Sequence, residues 1–342
     1  ILFKDVNLSV NNLTVSGFFC NILNWIVLSE VFTFVTNKKD LSELDICRIY
    51  ILPALIKAGW NPKTQIREQV YFTDGKIHVR GNITKRGKRK RADYILYYKP
   101  NIPIGIIEVK KNTFSIRSGL QQALDYANIL DIPNVYSSNG DGFFEHIIGN
   151  NKVEEKELNL SSFPSPKELW ERYKIFKKIE KEDQERIVSQ DYHFDGSDKK
   201  TRYYQQNAIN RSVEAVAKGN QRVLLTMATG TGKTMVAFQI IYRLRKSLNK
   251  KRVLFLADRN AIIDQTKRND FKHFKKNLLI LKNKNFDKSY EVYLSIYQAL
   301  VSSDGSAKDY KQYSPDFFDL IVVDECHRGS VKDDSLWKEI LN

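Results

Sequence analysis

The stretch Met227-Ala228-Thr229-Gly230-Thr231-Gly232-Lys233-Thr234 decides how the C-terminal half of the chain is interpreted. It follows an apolar run at 222–226 and precedes a helical pattern, which is the context of a Walker A phosphate loop. Glycines let such a loop wrap around phosphates, with backbone N–H groups at the helix start pointing inward. We therefore expect Lys233 to contact the β- and γ-phosphates of a nucleotide and Thr234 to ligate Mg²⁺. The loop positions expected to hold the nucleotide with them are Thr229, Gly230, Thr231 and Gly232.

The loop departs from the usual pattern at one position, because Met227 stands where that pattern has its first glycine. A Gly/Thr-rich turn that binds no ligand is the structural alternative.

A second motif, Leu320-Ile321-Val322-Val323-Asp324-Glu325-Cys326-His327, places two carboxylates at the end of an apolar run. Asp324 suits the Mg²⁺ side of a nucleotide site, and Glu325 suits orienting or deprotonating the attacking water. His327 could relay the nucleotide state. Cys326 is interpreted as a small buried residue rather than a nucleophile. The two motifs support each other.

The C-terminal half alternates apolar strand-like runs with helical segments, which predicts a parallel sheet. The predicted strands are residues 222–226, 252–257, 292–296 and 320–323. Upstream, Gln205 lies in Arg202-Tyr203-Tyr204-Gln205, and its amide could hold both edges of adenine. Ala257-Asp258-Arg259 and Ser295-Ile296-Tyr297-Gln298 are interpreted either as DNA-contacting motifs or as ordinary loops at strand ends.

The N-terminal half predicts a second α/β unit. A helix is expected over residues 41–58 and another over 121–130, with strands at 69–73, 77–80, 94–98, 104–109, 135–138 and 143–148. Asp74-Gly75 predicts a hairpin between the first two strands. Residues 152–200 turn polar and charged, with a helix start at Ser165-Pro166, and are predicted to be a helical linker.

Acidic and basic residues converge at the ends of two of these strands. Asp93 and Glu108 could hold Mg²⁺, while Lys110, on the same face as Glu108, could orient water or stabilise charge on a phosphate. On the following helix, Gln122 and Tyr126 are spaced to share one face. A surface salt-bridge set is the alternative.

Bulk composition is consistent with a polyanionic partner. The 342 residues include 55 Lys+Arg and 40 Asp+Glu, giving a net charge of +15, which favours attraction to phosphates. The run 85–91, just before Asp93, is interpreted as a phosphate-gripping segment or a solvated loop. Three scattered cysteines indicate neither a disulfide framework nor a metal site, so we expect a cytoplasmic protein.

Taken together, these motifs resemble known families. The loop and the Asp324-Glu325 string are similar to superfamily-two helicases of the DEAD/DEAH type. The Asp93…Glu108-Val109-Lys110 set with Gln122 and Tyr126 resembles the PD-(D/E)xK nucleases of R subunits. The order of the two resembles the R subunit of type I restriction enzymes. An acid of the first helix, Glu43 or Asp45, sometimes joins the metal site in that family, and the sequence does not choose between them.

The resemblance implies an α/β fold in which a PD-(D/E)xK nuclease domain precedes a RecA-like ATPase lobe that is an incomplete motor. We expect the nuclease domain at 35–151 and the lobe at 201–342. Residues 1–34 carry an apolar run broken by Asn21, Asn24 and Glu30, and we expect them to lie outside the domain rather than in a membrane or a buried helix.

The implied function is ATP-driven translocation of duplex DNA with Mg²⁺-dependent cleavage. The implied partners are double-stranded DNA and separate modification (methyltransferase) and specificity subunits, which would bind S-adenosylmethionine. No membrane partner is expected. One alternative is a stand-alone helicase-nuclease of DNA repair, and another is a non-catalytic DNA-binding remnant.

Overall fold

A computed structural model gives the fold. It describes residues 37–73, 77–80, 83–86, 89–149, 153–196, 200–248, 251–281, 287–296, 299–300 and 309–324. The predicted upstream segment 1–34, the turn residues Asp74 and Gly75, and the motif residues Tyr297, Gln298, Glu325, Cys326 and His327 lie outside these residues. Among the described residues, no helix is both long and apolar enough to cross a membrane.

The first helical region is interrupted rather than continuous. It consists of α1 (Glu43–Ile46), a π-helical turn (Cys47–Ile51) and α2 (Leu52–Lys57). Ser42 caps α1 by a capping box with Asp45, satisfying backbone donors that a helix start leaves open. Pro53 lies in the first turn of α2, directly after the π-helical turn. Gly59, at φ +93°, then ends the region.

A six-stranded sheet forms the centre of the first half within the described residues. Its strands are β1 (Ile66–Thr73), β4 (Arg89–Lys99), β5 (Ile102–Val109), β6 (Asn134–Ser138), β7 (Gly142–Ile148) and β8 (Val153–Asn159), in that spatial order. Only the β5–β6 pair is parallel. A parallel pair needs a crossover, and α3 (Leu120–Leu130) supplies it. Every residue of β5 is buried, so β5 is the core strand.

The predicted hairpin between the first two strands is wrong. β1 pairs with β4, whereas β2 (Ile77–Arg80) pairs with β3 (Ile83–Arg86) in a separate two-stranded ribbon. The Asp-Gly pattern predicts a turn from a few neighbouring residues, and it does not determine which strand β1 pairs with in the sheet. The run 85–91, interpreted as a loop, is partly taken up by the ends of β3 and β4.

The segment predicted as a linker, residues 152–200, packs into the first core over much of its length. β8 is the edge strand of the sheet, and α4 (Pro166–Phe176) and α5 (Glu182–Val188) follow it. The Trp170 ring stacks on Tyr98 with centroids 4.1 Å apart, and Trp60 Nε1 donates to the Pro164 carbonyl at 2.9 Å. The composition of this segment is polar because β8 is exposed along almost its whole length and because the amphipathic α4 exposes one face.

The second half contains the predicted parallel sheet. Its described strands are β10 (Leu278–Ile280), β11 (Val292–Ile296), β9 (Val253–Ala257) and β12 (Leu320–Val323), in that order, all parallel. The helices of this half are α6 (Tyr203–Ala217), α7 (Lys233–Leu248) and α8 (Asn260–Arg268). Phe238 and Ile241 of α7 pack on Val253 and Phe255 of the sheet.

The predicted strand at 222–226 is not formed. This stretch pairs with no described strand, and Val223, Leu224 and Leu225 are exposed. An apolar run predicts only that a segment favours burial. It becomes a strand when a neighbouring strand supplies hydrogen bonds.

Helix α6 joins the two halves through polar contacts. Asn210 Nδ2 donates to the Asn101 carbonyl at 3.0 Å, in the turn between β4 and β5. Arg211 Nε donates to Asp131 at 3.0 Å, and Tyr173 Oη donates to Glu214 at 2.5 Å. Helix α6 therefore anchors the second half on the first, and α7 adds a contact through Arg243, which donates to the Val188 carbonyl at 2.6 Å.

The packing of α4 generates a prediction. Trp170→Ala should destabilise the chain by about 3–5 kcal/mol, because a buried indole leaves a large cavity. Phe194→Ala, in the same expected linker but 79% exposed, should change stability by less than about 0.5 kcal/mol. Urea unfolding followed by tryptophan fluorescence and circular dichroism measures both. Equal, small effects would show that residues 153–188 do link rather than pack.

Candidate active site

Strands β4 and β5 bring the two predicted carboxylates together. Asp93 lies on β4, next to the Tyr94–Ile107 pair, and Glu108 lies near the end of β5. The backbone N–H of Val109 donates to Asp93 Oδ2 at 2.8 Å. Asp93 is 6% exposed and Glu108 is 2% exposed. Two buried acids this close repel each other unless a proton or cation is shared.

One oxygen of Glu108 is satisfied and the other is not. Lys110 Nζ donates to Oε1 at 2.9 Å, whereas Oε2 is buried and has no hydrogen-bond partner in the described part of the chain. Burial, and then the negative charge of Asp93, raise the pKa of Glu108 to about 7, although Lys110 opposes the shift. A buried acceptor without a donor is costly, so Oε2 is suited to a hard cation.

A hydrogen-bonded chain extends from Glu108 to helix α3. Lys110 Nζ also donates to Gln122 Oε1 at 3.1 Å, and Gln122 Nε2 donates to Tyr126 Oη at 2.9 Å. Burial alone would lower the pKa of Lys110, but the hydrogen bond and charge of Glu108 raise it. The five residues predicted for a nuclease site are thus brought into one cluster. Their chemical roles stay predictions.

The start of α3 closes over Glu108. A Cβ at Gly119 would lie 3.0 Å from Glu108 Cγ and 2.9 Å from Ser137 Oγ, so a side chain there would displace one of them. Ser137 Oγ accepts from the Gly119 N–H at 3.0 Å and holds this contact. The carboxylate therefore has a fixed position. Sequence reasoning missed Gly119, since a single glycine before a helix gives no specific signal.

The structure distinguishes the two acids of the first helix. Asp45 accepts from Ser42 Oγ at 2.6 Å and from the Ser42 N–H at 3.1 Å, and these bonds lower its pKa. Glu43, in contrast, is among the charges that raise the pKa values of Glu108 and Lys110. Asp45 is therefore engaged as the cap of α1, and the negative charge of Glu43 acts on Glu108 and Lys110. A place for Glu43 in the site stays a prediction. The Ser42-x-x-Asp45 spacing was a sequence signal for that cap.

Another residue that sequence reasoning missed is Gln69 on β1. Its Nε2 donates to Asp93 Oδ1 at 3.0 Å, so both oxygens of Asp93 accept a hydrogen bond. Nothing in the sequence marks Gln69, because glutamine is common in exposed strands and has no special backbone preference.

The chemistry of this donor set fits Mg²⁺. No group of three or more His, Cys, Asp or Glu side chains able to hold a metal gathers anywhere in the described ranges. Mg²⁺ does not need such a cage, because it commonly uses one or two carboxylates with water and phosphate oxygens. Asp93 and Glu108 would supply the two carboxylates.

The phosphate-loop stretch adopts the backbone that the motif predicts. Gly230 and Gly232 have φ values of +75° and +86°, which side-chain-bearing residues rarely adopt, and α7 begins at Lys233 immediately afterwards. Thr231 Oγ1 donates to the Ala228 carbonyl at 2.6 Å. Thr234 lies in the first turn of α7, the part of a helix whose backbone N–H groups have no acceptor within the helix itself and commonly bind anions.

Gln205 lies against this loop. Its Nε2 donates to the Thr231 carbonyl at 2.8 Å, and its Oε1 accepts from the Arg202 N–H at 3.0 Å. A Cβ on Gly232 would lie 2.6 Å from the same Nε2. The loop and the segment predicted to recognise adenine are thus in contact, and adenine recognition itself stays a prediction.

Asp324, the described carboxylate of the C-terminal motif, lies at the same end of the parallel sheet as the loop. Arg245, near the end of α7, forms an ion pair with Glu291, which precedes β11. The start of α7 therefore points to the opposite edge, where β9, β11 and β12 end. Asp324 follows β12, its N–H donating to the Leu256 carbonyl at 2.8 Å. Arg259 there pairs with the adjacent Asp258 at 3.3 Å and is otherwise exposed.

These two sites define a class of protein. A mixed sheet with a buried acidic pair and lysine precedes a helicase-like parallel sheet with a phosphate-type loop. Comparisons agree with each half in turn. The family described as Type I restriction enzyme R protein N terminus matches residues 64–164, and the family described as Type III restriction enzyme, res subunit, matches residues 198–342.

Individual relatives give the same result. The chain is 49% identical over 308 residues to the type I restriction enzyme EcoAI endonuclease subunit of Escherichia coli, covering 90% of this chain and 38% of that protein. It is 36% identical over 140 residues to the EcoKI endonuclease subunit of Escherichia coli strain K12, covering 39% of this chain and 12% of that protein.

A solved structure also matches, that of a fragment of an HsdR subunit of a type I restriction enzyme from Vibrio vulnificus YJ016. The TM-score is 0.67 at 38% identity, covering 88% of this chain and 53% of that one. The chain belongs to the HsdR family, the R subunits of type I restriction enzymes. The resemblance and the α/β fold class predicted from the motifs are confirmed. The chain spans well under half the length of the curated relatives it matches.

The raised pKa of Glu108 generates a prediction about stability. The folded-state pKa of about 7 exceeds the ordinary value of 4.5, so between these pH values the native state binds a proton that the unfolded state lacks. Without metal, the free energy of unfolding should fall as pH rises from about 4.5 to 7, by at most about 3 kcal/mol from this group.

Glu108→Gln removes this titrating group. The free energy of unfolding of the variant, relative to that of the parent chain, should therefore increase as pH rises through that range. Urea titrations in EDTA at several pH values measure the difference, and Glu154→Gln, on the exposed strand β8, is the control. A difference between parent and Glu108→Gln that does not change with pH would contradict the buried-acid account.

Proposed function

We propose that this chain supplies the nuclease domain and the first ATPase lobe of a type I restriction R subunit. The complete subunit would hydrolyse ATP to translocate duplex DNA and would cleave unmodified DNA with Mg²⁺. The observation that carries the proposal is the buried Glu108 Oε2, which has no donor among the described residues and lies beside Asp93 and Lys110. The two Escherichia coli relatives described above are endonuclease subunits by name, and this supports the proposal.

In the nuclease domain, Asp93 and Glu108 would hold Mg²⁺, and Glu43 is the acid of the first helix that we assign to the same site. A bound Mg²⁺ would lower the pKa of a water and neutralise charge on the scissile phosphate. Lys110 would orient that water or stabilise the phosphate. Gln122 would hold the Lys110 ammonium in place, with Tyr126 holding Gln122.

In the ATPase lobe, the loop residues Thr229 to Gly232 would wrap the phosphates, with Lys233 on the β- and γ-phosphates. Thr234 and Asp324 would take the Mg²⁺ side, and Glu325 would act on the attacking water. Gln205 would hold adenine by exchanging its contacts with the loop and with Arg202. ATP and Mg²⁺ are accordingly the proposed cofactors.

The proposed partners follow from charge and from the family. A net charge of +15 favours double-stranded DNA, whose phosphates attract basic proteins. We also propose assembly with modification and specificity subunits, which would bind S-adenosylmethionine, in the cytoplasm. Cleavage and ATP use would then depend on this assembly rather than on the chain alone.

The proposal predicts an asymmetry between two substitutions. In the complete subunit assembled with its partners, Glu108→Ala should reduce DNA cleavage at least about 1,000-fold while leaving DNA-dependent ATPase within about two-fold, because the lost ligand serves only the nuclease metal. Lys233→Ala should abolish ATPase and, through lost translocation, cleavage as well. Gel assays of cleavage and phosphate-release assays of ATP hydrolysis measure the two activities.

The controls separate the alternatives. Glu154→Ala on β8 should change neither activity. If Glu108→Ala destroyed ATPase as thoroughly as cleavage in a folded protein, the two-site proposal would fail. Cleavage that needs no modification or specificity subunit would favour a stand-alone repair nuclease. DNA binding without cleavage under any metal would favour a non-catalytic remnant.

A further inference from the structure

Gln69 has a backbone conformation that is unusual inside a strand. Its φ is +52°, although it lies within β1 and its neighbours Glu68 and Val70 keep regular pairing with Tyr94 and Ala92 of β4. The other described non-glycine residues with positive φ are outside strands, in turns or at helix ends, and they are Asn101, Asp131 and Lys178. Strained backbone of this kind persists only where the surroundings enforce it, and it concentrates at functional sites.

The strain directs the Gln69 amide onto the carboxylate opposite it. Gln69 faces Asp93 across the β1–β4 pair, and its Nε2 donates to Oδ1 at 3.0 Å. The Val109 N–H donates to Oδ2 at 2.8 Å. Within the described residues no cationic side chain forms an ion pair with Asp93, so these two neutral donors are what hold it.

Because the Gln69 amide is a neutral donor, it leaves the negative charge of Asp93 in place beside Glu108. An amide fixes the orientation of Asp93 without cancelling its charge, and each carboxylate oxygen keeps a second lone pair. A lysine or arginine at position 69 would instead neutralise Asp93 and compete with a bound cation. The pair of acids thus keeps both its negative charge and its geometry.

We propose that Gln69 is a positioning residue for cation binding, holding Asp93 in the orientation in which it and Glu108 take one divalent cation. This inference rests on the proposed nuclease function of the Asp93–Glu108 site. Partners of this kind, outside the direct ligands, typically change metal affinity by about 10- to 100-fold when removed.

The test is Mn²⁺ binding to the full chain without nucleotide, measured by electron paramagnetic resonance at pH 8, together with urea unfolding. Gln69→Gly should weaken Mn²⁺ binding by about 10- to 100-fold. The same change relieves the strain at φ +52° but leaves Asp93 Oδ1 without its donor, so Gln69→Gly should be more stable than a variant that loses the donor and keeps a side chain at this angle. If Gln69 acted only on folding, two such variants would differ in Mn²⁺ binding as they differ in stability.

Two further variants separate strain from hydrogen bonding. Gln69→Met keeps the side-chain length and the strained backbone but loses the donor, so it should weaken Mn²⁺ binding as Gln69→Gly does. Gln65→Met is the matched control, because Gln65 Nε2 donates to the Tyr98 carbonyl at 3.0 Å, away from Asp93. It should leave Mn²⁺ binding unchanged.

The outcomes distinguish this inference from the function on which it rests. If Glu108→Ala abolishes Mn²⁺ binding while both Gln69 variants bind within about two-fold of the parent, the positioning role is wrong and the metal site stands. If Glu108→Ala leaves Mn²⁺ binding intact, the proposed metal site fails, and the inference fails with it.

Discussion

The hydrogen bond from the Val109 N–H to Asp93 is the interaction on which the candidate nuclease site depends. It crosses from β5 to β4 at the end of a strand that is buried at every position. It forces two carboxylates into a low-dielectric region, where their repulsion and desolvation oppose folding. The fold tolerates this because Lys110 satisfies one side of Glu108 and because β5 buries an unbroken apolar run around it.

The first turn of helix α6 contacts both halves of the chain. Tyr203, at the start of α6, lies edge-on to Phe72 of β1 with ring centroids 5.6 Å apart, and Phe72 in turn contacts Tyr126 at 5.3 Å. Two residues further along the helix, Gln205 donates to the carbonyl of Thr231 in the phosphate loop. One turn of α6 therefore touches the neighbourhood of both sites. The phosphate loop and β1 are thus connected through this turn of α6.

Much of the site could be predicted from the sequence because several of its residues lie only two to four positions apart. Glu108 and Lys110 share a face by strand alternation, and Gln122 and Tyr126 share one by helical spacing, and the structure places all four in one cluster. The phosphate loop was predictable for the same reason. The role of Asp45 in capping the first helix was also within reach, since the cap at Ser42 follows a known pattern.

What the sequence did not predict depends on long-range pairing. Whether 222–226 becomes a strand depends on a neighbour in the sheet, and the partner of β1 is β4 rather than the strand that follows it. Trp170 packs on Tyr98 from a segment that is polar enough to be interpreted as a linker. Gln69 carries no signal, because its importance lies in a backbone angle that only the assembled sheet imposes.

Anomalous X-ray scattering from crystals soaked in Mn²⁺ tests the central claim most directly, because it locates the cation without any assay of activity. The account predicts one anomalous peak in the first half of the chain, about 2.0–2.6 Å from Glu108 Oε2 and from an oxygen of Asp93. That peak should disappear in Glu108→Gln crystals. Full Mn²⁺ occupancy at another place, with none between Asp93 and Glu108, would contradict the account.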